Sequence, residues 1–154
     1  MVKAKIGDEF QEMPLRLCVR FDYRGISKPK GFFFGSKNID EAAEETREHK
    51  AALLRNVPVQ GIHIEDIDLS NEVYTVFDEN IGGPVAYAPI YVTIRAEFIE
   101  DVVRFIMCEE FRKVELIEPE QILLSKYDIE RLLFKMNEEL RLLQVYLERR
   151  ANQR

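Results

Sequence analysis

Residues 125–150 read SKYDIERLLFKMNEELRLLQVYLERR, and the apolar spacing of this stretch decides how the rest of the chain is interpreted. Its apolar side chains recur at alternating steps of four and three residues, which is the spacing of a heptad repeat. The members of the repeat are Ile129, Leu133, Met136, Leu140, Leu143 and Leu147. Ser125 and Asp128 have the spacing of a capping box. The stretch therefore predicts one long helix with a narrow apolar face.

This apolar face needs a partner, and two arrangements suit it. Further apolar side chains widen the face beyond a strict heptad seam; they are Leu132, Leu142, Val145 and Tyr146. A wide face suits a helix docked on its own domain, and it equally suits a helix shared with a second subunit. The sequence leaves open which of the two holds. We expect the six heptad residues to contribute to self-association, as a homodimer or another homo-oligomer.

Composition restricts the class of protein. The chain has 154 residues, of which 46% are apolar and 32% charged, which is typical of one globular domain. It contains no apolar run long enough for a membrane span, and its first residues lack the pattern of a secretion signal. Cys18 and Cys108 stand far apart without a CxxC pair, which argues against a disulfide scaffold and for a reducing compartment. We therefore expect a cytoplasmic protein without membrane contact.

Residues 15–23 show the clearest strand pattern in the chain. Leu15, Leu17, Val19, Phe21 and Tyr23 alternate with Arg16, Cys18, Arg20 and Asp22. Alternation of this kind is typical of a half-buried antiparallel strand. Residues 1–13 are polar, and we expect them to form a flexible N-terminus. Three phenylalanines at residues 32–34 predict either the returning strand of a hairpin or an aromatic contact surface edged by Lys28, Lys30 and Lys37.

The remaining elements follow from the same kinds of pattern. Helices are predicted at residues 38–56 and 98–110, and strands at residues 62–69, 73–77, 85–97 and 112–117. The alternation of the first of these strands slips near Asp66, which suggests a bulge. In the longest strand, Pro89 cannot donate a ladder hydrogen bond and is expected at an edge or a bulge. One face of that strand carries Ala86, Ala88, Ile90, Val92, Ile94 and Ala96.

The order of these elements resembles the ferredoxin-like βαββαβ sandwich, an α+β fold with an antiparallel sheet and helices on one face. The chain would add an N-terminal hairpin and the long C-terminal helix to it. The predicted divisions are a flexible N-terminus at residues 1–13, an α+β sandwich domain at 14–124 and the heptad helix at 125–150. In such a sandwich the first and third strands are central neighbours, and one sheet face stays open.

Tyrosines and arginines are predicted on that open face. The candidate binding residues are Arg16, Arg20, Tyr87, Tyr91 and Arg95. Aromatic and basic side chains on adjacent central strands are used to hold single-stranded RNA, although a net charge of −6 disfavours a nucleic-acid partner. Tyrosine and arginine are also favoured where a second subunit or another protein closes a sheet face. A small-molecule sensor is a third interpretation.

The sequence contains little evidence of catalytic motifs. The carboxylates Glu65, Asp66 and Asp68 lack the spacing of a calcium loop, and Gly82-Gly83 is not followed by the lysine and helix of a phosphate loop. His49 lies among charged residues of a helix that we expect to be solvated. We therefore predict no metal and no cofactor, and we interpret the chain as a binding or regulatory module rather than an enzyme.

Overall fold

The computed structural model describes residues 1–25 and 38–153, and the chain is an α+β protein with antiparallel sheets. The elements in these ranges are β1 (Val2–Ile6), β2 (Glu9–Met13), β3 (Leu15–Arg24), α1 (Ile39–Asn56), β4 (Ile62–Asp68), β5 (Tyr74–Asp78), β6 (Gly83–Ala96), α2 (Ile99–Ile106), β7 (Phe111–Glu118), β8 (Ile122–Leu123) and α3 (Lys126–Asn152). The strand predicted at residues 32–34 lies outside the described ranges. None of the described helices is both long enough and apolar enough to cross a membrane.

The larger sheet is built around β3 and β6, which pair along ten residues from Leu15 opposite Ala96 to Arg24 opposite Tyr87. The strand order is β4-β6-β3-β7, and β5 also pairs with β6. Since β6 is 14 residues long, β4 and β5 can occupy different parts of the edge that faces away from β3. The gap between them contains Pro89. A residue without an N–H is tolerated at this gap because no described strand pairs with it on that side.

The smaller sheet has the order β2-β1-β8 and accounts for residues that the sequence predicts to be flexible. Gly7 has a φ of 62° in the turn between β1 and β2, a conformation that favours glycine. Val2 and Ala4 are buried, and Ala4 lies opposite Ile122 of β8. Val2–Ile6 and Glu9–Met13 therefore form the two strands of a hairpin, in the region where the sequence predicts a flexible N-terminus.

The second sheet and the additional strands differ from the predicted ferredoxin-like topology. The described chain has eight strands in two sheets, whereas the prediction was one sheet covered by helices, with an added N-terminal hairpin and C-terminal helix. Alternation along β6 identified its two faces correctly, since all six residues predicted for the inner face are buried. The alternation did not indicate that two strands, β4 and β5, pair along the same edge of β6. The coarser prediction, α+β with antiparallel pairing, is confirmed.

The core lies between the larger sheet and helices α1 and α2. Its largest fully buried apolar side chains are Leu15, Val19, Ile90, Val92 and Ile94. Small residues on α1 let the helix approach closely, and Ala43 packs on Ala86 and Ala88 of β6. Because apolar burial contributes about 25 cal/mol per Å², the packing of α1 and α2 on the larger sheet is the main source of stability.

The predicted capping box at the start of α3 is confirmed. The Ser125 hydroxyl accepts a hydrogen bond from the Asp128 N–H at 3.2 Å, and the Asp128 carboxylate accepts one from the Ser125 N–H at 2.7 Å. Hydrogen bonds from Ser125 lower the pKa of Asp128, since they favour the charged carboxylate. The reciprocal bonds satisfy backbone donors that a helix start leaves unpaired. They fix the point at which the heptad helix leaves the domain.

Candidate functional site

The five predicted binding residues lie on one face of β3 and β6, opposite the face that α1 and α2 cover. We call this side of the larger sheet the open face. The strand register places Arg16 directly opposite Arg95, and Arg20 directly opposite Tyr91. Tyr87 lies further along β6, opposite Arg24. The face therefore divides into two groups of side chains, one at each end of the β3–β6 pair.

The first group is a carboxylate held between two arginines. Arg16 Nε donates to Glu65 Oε2 at 2.7 Å, and Arg95 Nε donates to Glu65 Oε1. Glu65 sits at the bulge in β4 between Ile64 and Asp66, close to where the sequence predicts an irregularity. Hydrogen bonds from Arg16 and then Arg95 lower the pKa of Glu65, because both favour the ionised carboxylate. The two arginines are thereby largely neutralised.

Arg16→Gln is expected to raise the pKa of Glu65 toward its ordinary value, because the first of the two stabilising hydrogen bonds is lost. A group with a lowered folded-state pKa contributes stability above its unfolded pKa, and this contribution disappears as pH falls through the folded pKa. Carboxyl ¹³C chemical shifts followed through an acid titration measure the change. Asp68, whose pKa is lowered by Ser70, serves as the internal control and should not shift. An unchanged Glu65 titration would contradict the arrangement.

The second group is centred on a buried carboxylate, Asp22, whose side chain is 1% exposed. Arg20 donates twice to it, from Nε to Oδ1 at 2.8 Å and from Nη2 to Oδ2 at 3.0 Å. Arg112 of β7 places its Nε 3.8 Å from Oδ2, and the Tyr74 hydroxyl donates to the same oxygen. Burial raises the pKa of Tyr74, and its hydrogen bond to Asp22 raises it further. Bidentate and charge-assisted bonds of this kind are the strong ones in proteins.

Aromatic rings extend this second group along the open face. The Tyr74 and Tyr87 rings are stacked, with centroids 5.6 Å apart. The Arg112 guanidinium lies 5.6 Å from the Tyr87 centroid, and that of Arg20 lies 5.7 Å from the Tyr91 centroid. Both distances suit cation–π contacts. The result is a platform of rings and guanidinium groups fixed by one buried carboxylate.

Four members of these groups were not among the predicted binding residues. Asp22 shares the alternation of Arg16 and Arg20, so its face could be predicted, although its burial could not. Glu65, Tyr74 and Arg112 come from β4, β5 and β7. Only the strand order and register bring them to β3 and β6. The alternation of their own segments contains no signal for that pairing.

The second candidate surface is α3, on which the six predicted heptad residues are exposed. Their exposed fractions run from 39% at Leu143 to 60% at Leu133. Other apolar side chains of the same helix are comparably exposed; they are Tyr127, Phe134, Leu142, Val145 and Tyr146. An apolar helix face of this extent is typical of a helix that packs against further protein.

α3 contacts its own domain through a different and largely polar face. Arg131 bonds to Glu100 of α2 at 3.0 Å, and Arg104 of α2 lies 3.6 Å from Glu139. Lys135 also pairs with Glu139 at 2.9 Å, and Glu139 is the one buried residue of α3 among those described. The domain therefore uses ion pairs to hold the helix and leaves its heptad face outward.

Smaller features give little basis for ligand chemistry. A groove of about 210 Å³ lies between the starts of α2 and α3 and the edge of β1, lined in part by Val2, Phe98 and Leu123. Three further surface depressions, of about 310, 490 and 370 Å³, reach the usual size of small-molecule sites but are shallow and open to solvent. Among residues 1–25 and 38–153, no group of three or more histidine, cysteine or carboxylate side chains is arranged to hold a metal ion. Burial raises the pKa of both thiols, Cys18 and Cys108, which leaves them less reactive.

Comparisons of the chain with models of protein families, with curated proteins and with solved structures found no match. Function is therefore inferred from the surfaces described above. The two candidate surfaces are the heptad face of α3 and the arginine–tyrosine groups of the open face.

Proposed function

We propose that this protein is a non-catalytic binding or regulatory module that acts as a homo-oligomer, with the heptad face of α3 packed against a second copy. The observation that carries the proposal is the exposure of all six heptad residues on a helix whose domain contacts are polar. A second copy is the fitting occupant because a heptad seam of leucine, isoleucine and methionine is complementary to itself. Such a contact is isologous, with the same patch used on both subunits.

The energies are of the right size for a reversible complex. Complete burial of one leucine-sized side chain contributes about 2 kcal/mol, and the heptad residues are already half buried. Twelve such side chains from two helices would therefore gain on the order of 10 kcal/mol. Association costs about 4–15 kcal/mol in lost motion. The heptad seam alone supports a weak complex, and the neighbouring exposed residues Leu142, Val145 and Tyr146 would strengthen it.

Leu140→Asp is expected to weaken self-association by about tenfold or more, because it places a charge in the centre of the apolar seam. Light scattering coupled to size exclusion, over a dilution series, measures the mass and the dissociation constant. The domain should stay folded, since Leu140 is 53% exposed and lies outside the described core.

Leu53→Asp is the matched control, because Leu53 is also an exposed leucine on a helix, with an exposed fraction of 42% on α1. It should leave the mass unchanged. A wild-type chain that elutes as a monomer at all concentrations, or a Leu140→Asp chain with unchanged association, would refute the proposed role of α3.

A second candidate function is binding of single-stranded RNA on the open face, and the alignment of Arg20 with Tyr91 favours it. The bonds from Arg20 to Asp22 and from Arg16 and Arg95 to Glu65 count against it, since RNA phosphates would have to compete with carboxylates. Retention of single-stranded RNA that falls with salt and is lost in Tyr91→Ala or Arg20→Ala would support this function over the first.

The compartment is part of the proposal. Cys18 and Cys108 are both free, which suits the reducing cytoplasm. Fractionation of cells that produce the protein, with a cytoplasmic marker and an extracellular marker as references, tests the location. Recovery mainly outside the cytoplasmic fraction would contradict it.

A further inference from the structure

Strand β7 forms one end of the larger sheet and presents apolar side chains to solvent. In the strand order β4-β6-β3-β7 it pairs with β3 alone among the described strands. Val114 lies opposite Val19, and Leu116 lies opposite Leu17, so both point toward the side of the sheet that holds the core. Val114 is nevertheless 37% exposed and Leu116 42% exposed, whereas Val19 is fully buried. The apolar layer therefore continues past the helices that cover it.

The regular part of this edge is short and well defined. The register of β3 and β7 shifts between Arg20 and Phe21 and again between Arg16 and Leu17. Residues 113–116 lie between the two shifts and keep strict alternation. Lys113 and Glu115 point to the open face, where they form an ion pair of 2.5 Å within the chain. An exposed edge that carries unpaired backbone groups and apolar side chains is a template for pairing with another strand.

We propose that β7 pairs antiparallel with β7 of a second copy and extends the larger sheet across a two-fold axis at Val114. In this register Val114 faces its own counterpart on the core side. On the open face, Lys113 of each chain lies directly opposite Glu115 of the other. Two cross-strand ion pairs then replace two pairs within the chains, and opposite charges in directly opposed positions stabilise a sheet.

The charges select this register over its neighbour. A two-fold axis at Glu115 would place the two Glu115 carboxylates directly opposite each other, and like charges in that position destabilise a sheet. It would also leave Lys113 opposite Ile117. Moving the axis by half a residue would join the core side of one sheet to the open face of the other. Of these registers, only the axis at Val114 pairs opposite charges and also keeps the apolar layer continuous.

This contact is separate from the α3 seam and does not rest on it. Each is a self-complementary patch on a different element of the chain. The first experiment uses Val114→Cys in the Cys18→Ser/Cys108→Ser chain, because directly opposed residues of antiparallel strands have Cα atoms about 4.5–5.5 Å apart, which a disulfide can span. Val76→Cys on β5 is the matched control, since Val76 is a valine of similar exposure on another strand.

Under mild oxidation, the Val114→Cys chain is expected to form the covalent dimer about tenfold faster than the Val76→Cys chain. The same ratio is expected with Leu140→Asp added, which separates this contact from α3. Equal rates for the two variants would overturn the β7 pairing and leave the α3 proposal untouched. A mass unchanged by Leu140→Asp would overturn the α3 proposal and leave the β7 pairing untouched.

A charge exchange tests whether the ion pairs form between chains. In the Val114→Cys chain, Lys113→Glu alone and Glu115→Lys alone each place like charges opposite each other twice, and each should slow cross-linking about tenfold. A mixture of the two variants restores both opposed pairs between unlike copies, although each chain keeps like charges within itself. Cross-linking should recover in the mixture. Lys5→Glu on β1 is the control for an equal charge change, and failure of the mixture to recover would overturn the proposed register.

Discussion

Gly25→Ala is expected to lower the free energy of unfolding by about 3 kcal/mol, at the upper end of overpacking effects in protein interiors. An added Cβ at Gly25 would meet backbone atoms of α1, with the Ala43 nitrogen at 2.5 Å and the Ala42 carbonyl carbon at 2.8 Å. Flexible side chains can move away from such a contact, but the backbone of a packed helix cannot. Ala43 itself is fully buried against β6, so α1 can withdraw from Gly25 only by losing that packing.

Gly83→Ala is the matched control for Gly25→Ala. A Cβ at Gly83 would meet no atom within 4 Å. Denaturant unfolding followed by circular dichroism gives the two free energies, and the control should stay within about 0.5 kcal/mol of wild type, as surface substitutions usually do. If both alanine variants unfold at the same denaturant concentration, the close approach of β3 and α1 at Gly25 is incorrect.

The close approach at Gly25 also illustrates what sequence patterns cannot supply. Alternation assigned the faces of β3 and β6 correctly, because each inward residue from Leu15 to Tyr23 and from Ala86 to Ala96 is apolar and buried. A glycine after a strand predicts only a turn or a loop. Which backbone it approaches depends on where α1 crosses the sheet. The second sheet was missed for a related reason, since β1 pairs with β8, which is two residues long and lies far away in the sequence.

The candidate surfaces were predictable to different degrees. The heptad spacing and the capping box of α3 are local in sequence, so both could be identified from the sequence alone. The exposure of Leu140 could not, because periodicity does not distinguish packing within the chain from packing on another copy. On the open face, alternation placed Arg20 and Tyr91 on the correct sides of their strands. It could not show that Asp22 is buried among several donors, because that depends on strand partners far apart in the chain.

Asp22→Ala is expected to lower the free energy of unfolding by about 3 kcal/mol, because it removes the acceptor that two arginines and a tyrosine share. Loss of one partner from a fully buried ion pair costs about 3–5 kcal/mol. The value here is set at the lower limit because the side chains of Arg20 and Arg112 are 31% and 36% exposed and can regain water. Asp66→Ala, at an exposed carboxylate of β4, is the control and should change stability by less than about 0.5 kcal/mol.

A double-mutant cycle with Tyr74→Phe tests whether the Asp22 group acts as one network. Tyr74→Phe removes the hydroxyl that donates to Asp22 and should cost about 1 kcal/mol, as a single hydrogen bond does. In the Asp22→Ala chain the same change should cost almost nothing, because its acceptor is already absent. Strictly additive effects would show that Tyr74 and Asp22 are energetically independent. Coupling would instead establish that β3 and β5 are joined across the open face by this carboxylate, since β5 pairs with β6 and not with β3 in the sheet.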